Sequence, residues 1–187
     1  MPKMLIFSAP SGGGKTTIVR YLLECLPELM FSISATSRNP RNNEYHARDY
    51  HFMSTEEFRE RIENGDFVEW EEVYEGTYYG TLSSEVERIM NMGKSVIFDV
   101  DVKGGMSIKQ RYGDDALAIF IVPPSVEELE RRLRRRGAND EEDLLRRIDK
   151  AKYEMSFADK FDEVIVNDDL EEGKREALEL ARNFLDN

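Results

Sequence analysis

The chain has 187 residues, 40% of them apolar, and a formal charge of −12. That length and apolar share suit one domain with a real core and exclude a wholly disordered chain, and no apolar run approaches the ~20 residues of a membrane span. A single cysteine excludes an intrachain disulfide and a multi-cysteine zinc site. With no leader-like apolar stretch at the N-terminus, the cysteine count leads us to expect a cytoplasmic protein. An acidic surface repels a phosphate backbone, so no nucleic-acid partner and no membrane partner is expected. Small phosphorylated substrates remain open, because residues 131 to 136 read R-R-L-R-R-R and can reverse the field locally.

Taken along the chain, Met4-Leu5-Ile6-Phe7 reads as a buried first strand. A glycine-rich turn follows, then Ile18, Val19, Leu22, Leu23 and Leu26 at helical spacing up to Pro27. Phe31, Ile33 and Ala35 alternate with serines as a second strand. Residues 37 to about 90 break the rhythm with turn residues, aromatics and acids, and the capping box Ser54-x-x-Glu57 starts a short helix there. Val96-Ile97-Phe98 and Ala118 to Val122 return to buried strands. Residues 125 to about 158 then carry two charged helices. The first opens with Ser125-x-x-Glu128 and stops at Gly137; the second puts Leu144, Ile148, Ala151 and Met155 on one face. Val164 to Val166 form the last strand, and a closing helix aligns Ala177, Leu178, Ala181 and Phe184. Strands alternating with helices predict an α/β fold with a largely parallel sheet, and both interruptions are expected over its C-terminal edge, where such folds bind ligands.

The first turn reads Ala9-Pro10-Ser11-Gly12-Gly13-Gly14-Lys15-Thr16-Thr17. This is the phosphate-cradling P-loop pattern with Ala9 in place of its first glycine. Consecutive glycines let backbone N–H groups converge on an anion, and the following helix adds its positive end. Lys15 is expected on the β- and γ-phosphates, and the Thr16 hydroxyl on Mg²⁺. Asp99 and Asp101 follow a buried strand, where a second magnesium ligand belongs; the alternative for each is an ordinary strand-end carboxylate. No N-K-x-D guanine-reading motif is present, which speaks against switch GTPases. The two interruptions can supply the second site and lid that a small-molecule kinase needs to exclude water.

The sequence resembles the guanylate kinase family over essentially its whole length. The resemblance rests on S-A-P-S-G-G-G-K-T at 8–16, F-S-I-S-A-T-S-R-N-P-R at 31–41, R-D-Y-H-F at 48–52, F-V-E-W at 67–70 and Y-Y-G-T at 78–81. F-D-V-D-V-K-G-G at 98–105, P-P-S-V-E-E-L at 123–129, R-R-G at 135–137 and I-V-N-D-D-L at 165–170 extend it. It implies a P-loop NTPase fold with three parts: a core of residues 1–36, 91–124 and 159–187, a GMP-binding insertion at 37–90, and a helical lid at 125–158. It implies Mg²⁺-dependent, direct in-line transfer from ATP to GMP, with dGMP as a further acceptor. ATP would lie on Ser11, Gly12, Gly13, Gly14, Lys15, Thr16, Thr17 and Asn167, with Thr16 and Asp99 on the metal.

Arg38, Arg41 and the Tyr50 hydroxyl suit a dianionic phosphate through two guanidinium forks. The resemblance adds Tyr79. A carboxylate at Glu69 can accept from guanine N1–H and N2–H₂ together, whereas adenine would leave it unpaired. The resemblance gives Glu69 that role, with Ser34, Thr81 and Asp101 beside it. It brings Arg132, Arg136 and Arg147, with Lys15 and Arg41, to the phosphoryl being transferred, and leaves Arg131, Arg134, Arg135 and Arg146 on the surface. His46 and His51 lack metal-ligand spacing and are expected in loops, and Cys25 in the core. A catalytically dead scaffold of the same family would have lost P-loop groups, yet Lys15 and Thr16 are present. A kinase for AMP or UMP conflicts with Glu69 and Ser34.

Overall fold

The computed structural model describes residues 2–135 and 141–186. Arg136, expected at the phosphates, and Gly137, the expected helix stop, lie outside the described residues. In chain order the elements begin with β1 (Met4–Ser8), α1 (Lys15–Cys25), β2 (Leu29–Phe31), β3 (Ala35–Thr36), β4 (His51–Phe52) and α2 (Thr55–Glu63). They continue with β5 (Phe67–Tyr74), β6 (Thr77–Leu82), α3 (Ser83–Asn91), β7 (Ser95–Asp99), α4 (Val102–Tyr112) and β8 (Ala116–Val122). The chain closes with α5 (Val126–Arg135), α6 (Glu141–Met155), β9 (Glu163–Val166) and α7 (Leu170–Asp186). None of these helices is long and apolar enough to cross a membrane.

Five strands form a parallel sheet in the order β2-β7-β1-β8-β9. β1 lies at its centre and is buried at every position. Period-two alternation sends Met4 and Ile6 to one face, with Val86, Ile89, Phe98, Ile108 and Phe120. Leu5 and Phe7 go to the other, with Ile18, Leu22, Ile97, Ala177 and Ala181. Helices cover both faces, which is why these strands carry continuous apolar runs. Cys25 is half-buried against the second cluster.

A second sheet of four strands runs β4-β3-β6-β5, antiparallel except for β3 beside β4. It has its own core, in which the Phe58 ring stacks 4.3 Å from Phe67 and 5.3 Å from Tyr78. Ser54 caps α2 by accepting from the Glu57 N–H, as its motif predicts. The reciprocal half of that box is not made, because the Glu57 carboxylate turns to Arg61 instead.

The expected strand through Phe31, Ile33 and Ala35 is divided between the two sheets. Ser32 N–H donates to Ile97 O, the last contact with β7, and Thr36 and Ser37 then bond to Tyr78 O on β6. The alternation that reads as one strand spans this crossing. His51, expected in a loop, sits in β4, and α3 packs Val86 and Ile89 into the first sheet's core. The apolar face expected on α6 meets one on α5: Leu129 and Leu133 of α5 pack on Leu144, Ile148 and Ala151 of α6. The loops leaving β1, β7, β8 and β9 all open at the C-terminal edge of the parallel sheet.

Candidate active site

The loop between β1 and α1 is a cradle of about 210 Å³ lined by Ala9 through Thr17. Gly12 and Gly14 both have φ near +93°, a left-handed conformation that glycine adopts without steric cost. A Cβ on Gly13 would lie 2.9 Å from the Ala9 Cβ and 3.1 Å from Pro10 O. The methyl of Ala9 therefore fills the space that a side chain at 13 would need, and the substitution in the motif is matched by its neighbour. Lys15 Nζ lies 2.6 Å from Asp99 Oδ1 and donates to Val100 O at 2.7 Å. Thr16 Oγ1 donates to the other Asp99 oxygen at 3.2 Å. Asp101 stands apart from this trio; its Oδ1 caps α4 by accepting from Gly104 N–H at 2.8 Å. The two strand-end aspartates are thus separated, Asp99 beside the cradle and Asp101 toward the second sheet.

A Thr hydroxyl and a carboxylate side by side suit a hard cation that completes its shell with phosphate oxygens and water. Among the described residues no group of three or more acidic, histidine or cysteine side chains could cage a metal alone. Asn167 is buried; its amide donates to Gly13 O at 2.8 Å and braces the cradle from the residue after β9. With Gly12, Gly14, Thr17 and Arg132 it also lines a cavity of about 290 Å³ beside the loop.

A second cavity, about 220 Å³, lies between the sheets and gathers Ser34, Tyr50, Glu69, Tyr79 and Asp101. Glu69 is on β5, opposite Thr81 on β6, and that register brings the Thr81 hydroxyl within 2.7 Å of its Oε1. Burial, with the nearby Asp101 charge adding to it, pushes the Glu69 carboxyl up to about 7. The space is tight on its α4 side, where a Cβ on Gly104 would sit 3.0 Å from Glu69 Oε2 and 3.2 Å from Asp101 Oδ1.

Arg38 donates from Nε to the Tyr79 hydroxyl at 3.0 Å and lies 5.0 Å from the Tyr50 ring centre. Its fork is taken by Glu44, at 2.7 and 2.8 Å. Arg38, and then the Arg41 backbone N–H, hold the Glu44 carboxyl down to about 2. Arg41 itself faces a wide cleft of about 710 Å³ between the cradle, β5 and α6, together with Ser11 and Arg147.

The arginines of α5 and α6 divide in the same way. Arg147 Nη2 donates to Ser11 Oγ at 3.2 Å and so reaches the cradle. Arg132 is held by Glu128 at 2.8 Å and donates to Asn167 O at 2.9 Å, on the flank of the cradle. Arg131 pairs with Glu128, Arg134 with Glu130 and Glu141, and Arg146 with Asp143. Sequence reasoning missed Glu44, and also Glu71, Val73 and Lys150 in the lining of the second cavity. Only Lys150 had a signal: it stands three residues after Arg147 on one helix, on the same face.

A family model described as guanylate kinase matches residues 1–182. The guanylate kinase of Bacteroides thetaiotaomicron is 56% identical over 183 residues, covering 98% of this chain and 90% of that protein. That of Porphyromonas gingivalis is 58% identical over 171 residues, 91% of each. A crystal structure of guanylate kinase from Anaplasma phagocytophilum is similar with a TM-score of 0.76 at 31% identity, over 97% of this chain and 85% of that one.

Proposed function

The chain belongs to the guanylate kinase family, and from that premise we propose that it transfers the γ-phosphoryl of ATP to GMP, giving ADP and GDP. One observation carries the assignment of the two ends: a phosphate cradle with Lys15, Thr16 and Asp99 in contact faces, across a cleft lined by Arg41 and Arg147, a cavity holding a half-buried Glu69. A phosphate oxygen of GMP attacks the γ-phosphorus while the bond to the β–γ bridging oxygen breaks. The leaving oxygen carries its electrons to ADP, and no covalent enzyme intermediate is needed.

Ser11, Gly12, Gly13, Gly14, Lys15, Thr16 and Thr17 hold the ATP phosphates, and Asn167 fixes the loop that carries them. Thr16 and Asp99 would hold Mg²⁺, which supplies charge neutralisation between the phosphates. Glu69 takes the guanine N1 and N2 donors, supported by Ser34, Thr81 and Asp101. Arg38, Arg41, Tyr50 and Tyr79 take the acceptor phosphate, with Glu44 giving up the Arg38 fork to it. Charge on the moving group is met by Lys15, Arg41, Arg132, Arg136 and Arg147, since phosphoryl transfer is mostly positioning and neutralisation. The three-part division into core, GMP-binding insertion and lid belongs to the same proposal, as do dGMP as an acceptor and a place in cytoplasmic purine nucleotide metabolism.

A coupled assay of ADP release with GMP, dGMP, AMP, UMP and CMP tests it. Turnover of GMP and dGMP alone is the expected result. Comparable rates with AMP or UMP would refute the base assignment.

A further inference from the structure

The lining of the acceptor cavity carries little positive charge, and Arg38 reaches it only from behind Tyr50 and Tyr79. Four carboxylates line it, Glu69, Glu71, Asp99 and Asp101, and Lys150 is the one cation among its lining residues. Two of the carboxylates already have partners: Glu71 lies 2.6 Å from Lys103 Nζ, and Asp99 lies 2.6 Å from Lys15 Nζ. Glu69 and Asp101 are engaged by Thr81 and the Gly104 N–H. Lys150 is therefore not there to neutralise one of them.

Lys150 comes from α6, three residues beyond Arg147 and four before Glu154, so the three share a face. It lines the wide cleft with Ser11, Arg41 and Arg147 as well as the acceptor cavity, which puts it at the junction of the two spaces. Its Nζ is 3.8 Å from Glu154 Oε1, beyond hydrogen-bond length, and the side chain is 64% exposed. Arg134 and Arg146 on the same helical pair are held by carboxylates at 2.8 and 2.6 Å. Lys150 is parked loosely, at the end of the acceptor cavity that opens toward the cradle.

We propose, resting on the phosphotransfer reading above, that Lys150 is a further catalytic residue, whose ammonium contacts the acceptor phosphate and the phosphoryl group passing to it. Arg147 meets that group from the cradle side and Lys150 from the acceptor side. A flexible four-carbon stem lets a compact charge follow the group across the cleft, a task that a paired guanidinium fork performs less well.

Steady-state kinetics with ATP and GMP, calorimetric GMP affinity and thermal unfolding of the full chain test this. Lys150→Ala is expected to lower kcat about tenfold or more, with GMP affinity within about twofold because Arg38 and Arg41 still hold the ground state. Lys150→Arg, which keeps the charge, is expected to recover most of the loss. Lys152→Ala, an exposed lysine elsewhere on α6, is expected to match the wild type. A kcat for Lys150→Ala equal to wild type overturns the proposal, as does an equal fall in Lys152→Ala, a fall that tracks a lower unfolding temperature, or an Arg variant as slow as the Ala one. If the wild type itself leaves GMP unphosphorylated, the kinase assignment fails instead.

Discussion

The donor and acceptor halves of the cleft are built in opposite ways. The cradle is one continuous stretch, Ala9 to Thr17, with Asp99 delivered from the neighbouring strand. Its chemistry is backbone N–H groups and one lysine, and its partners are in place: Lys15 on Asp99, Thr16 on Asp99, Asn167 on Gly13. The acceptor cavity is assembled from six separate segments, and its key carboxylate, half-buried, has its pKa pushed up to about 7. A contiguous loop is fixed by local geometry, whereas a scattered site depends on how two sheets meet. On the proposed reading, the first half suits any nucleoside triphosphate and the second is where base selectivity resides.

The largest test of that contrast is Lys15→Met. It removes the charge at the donor end while leaving an unbranched side chain, so kcat is expected to fall by about 10³-fold or more with the fold intact. Base preference among the acceptors is expected to be unchanged, because the Glu69–Thr81 contact is untouched and the acceptor cavity is altered only at Asp99, which loses its Lys15 partner. A coupled assay with a panel of monophosphates reads both quantities, and near-normal turnover would break the donor assignment.

Glu69→Gln is the matching test at the acceptor end. It swaps one acceptor oxygen for a donor that faces guanine donors, and kcat/KM for GMP is expected to fall by about 2–4 kcal/mol in barrier terms. AMP should lose little of an already poor rate; equal fractional losses would show that Glu69 does not read the base. The pH dependence sharpens this. With a folded-state pKa of about 7 against an ordinary 4.5, the native carboxyl binds more protons than the unfolded one between those values. Its contribution to stability is present below the ordinary value and is lost as pH rises through the folded one. Guanine reading needs the ionised form, so kcat/KM for GMP runs the other way and rises to a plateau above pH 7, a limb that Glu69→Gln should flatten.

What the sequence discloses follows the same divide. Gly12, Gly13, Gly14, Lys15 and Thr16 announce the cradle because its chemistry is local and its spacing fixed. Apolar runs and helical stripes give the parallel sheet and the α5–α6 contact for the same reason. Glu69 lies in an acidic segment of near-identical neighbours, and only resemblance to a family singles it out. Its burial comes from the β5–β6 register and from Gly104 on a distant helix, neither of which has a local signature. Glu44 was invisible because nothing near it shows that its carboxylate would fill the Arg38 fork. The crossing at Ser32 to Ser34 was misread because the period-two pattern continues through it while the hydrogen-bond partner changes from Ile97 to Tyr78.

Arg147 joins the two halves, and its removal should fall between them. Among the described residues it donates to Ser11 Oγ, and GMP is proposed to dock without it. Arg147→Ala is therefore expected to lower kcat by about 10- to 100-fold while calorimetric GMP affinity stays at the wild-type value. Arg134→Ala is the control: its guanidinium is paired with Glu130 and Glu141 away from the cleft, and kcat should not change. Identical behaviour of the two variants would reduce the basic face to a solvated surface.

The smallest expected effect asks whether the acceptor half can be loosened alone. Ser54 caps α2 through the Glu57 N–H, and α2 holds the second sheet by burying Phe58 against Phe67 and Tyr78. Ser54→Ala leaves that N–H without its side-chain partner and should cost about 1 kcal/mol of helix stability. Ser54 is remote from the cradle, and the cluster around Phe58 is separate from the two that flank β1. The cost should therefore be confined to the second sheet. Hydrogen exchange is expected to speed up at the amides of β5, β6 and α2 and to stay unchanged in β1 and α1. KM for GMP should rise slightly, with KM for ATP unmoved. Faster exchange in β1, or an equal change in both KM values, would mean that the two halves of the cleft share one cooperative unit after all.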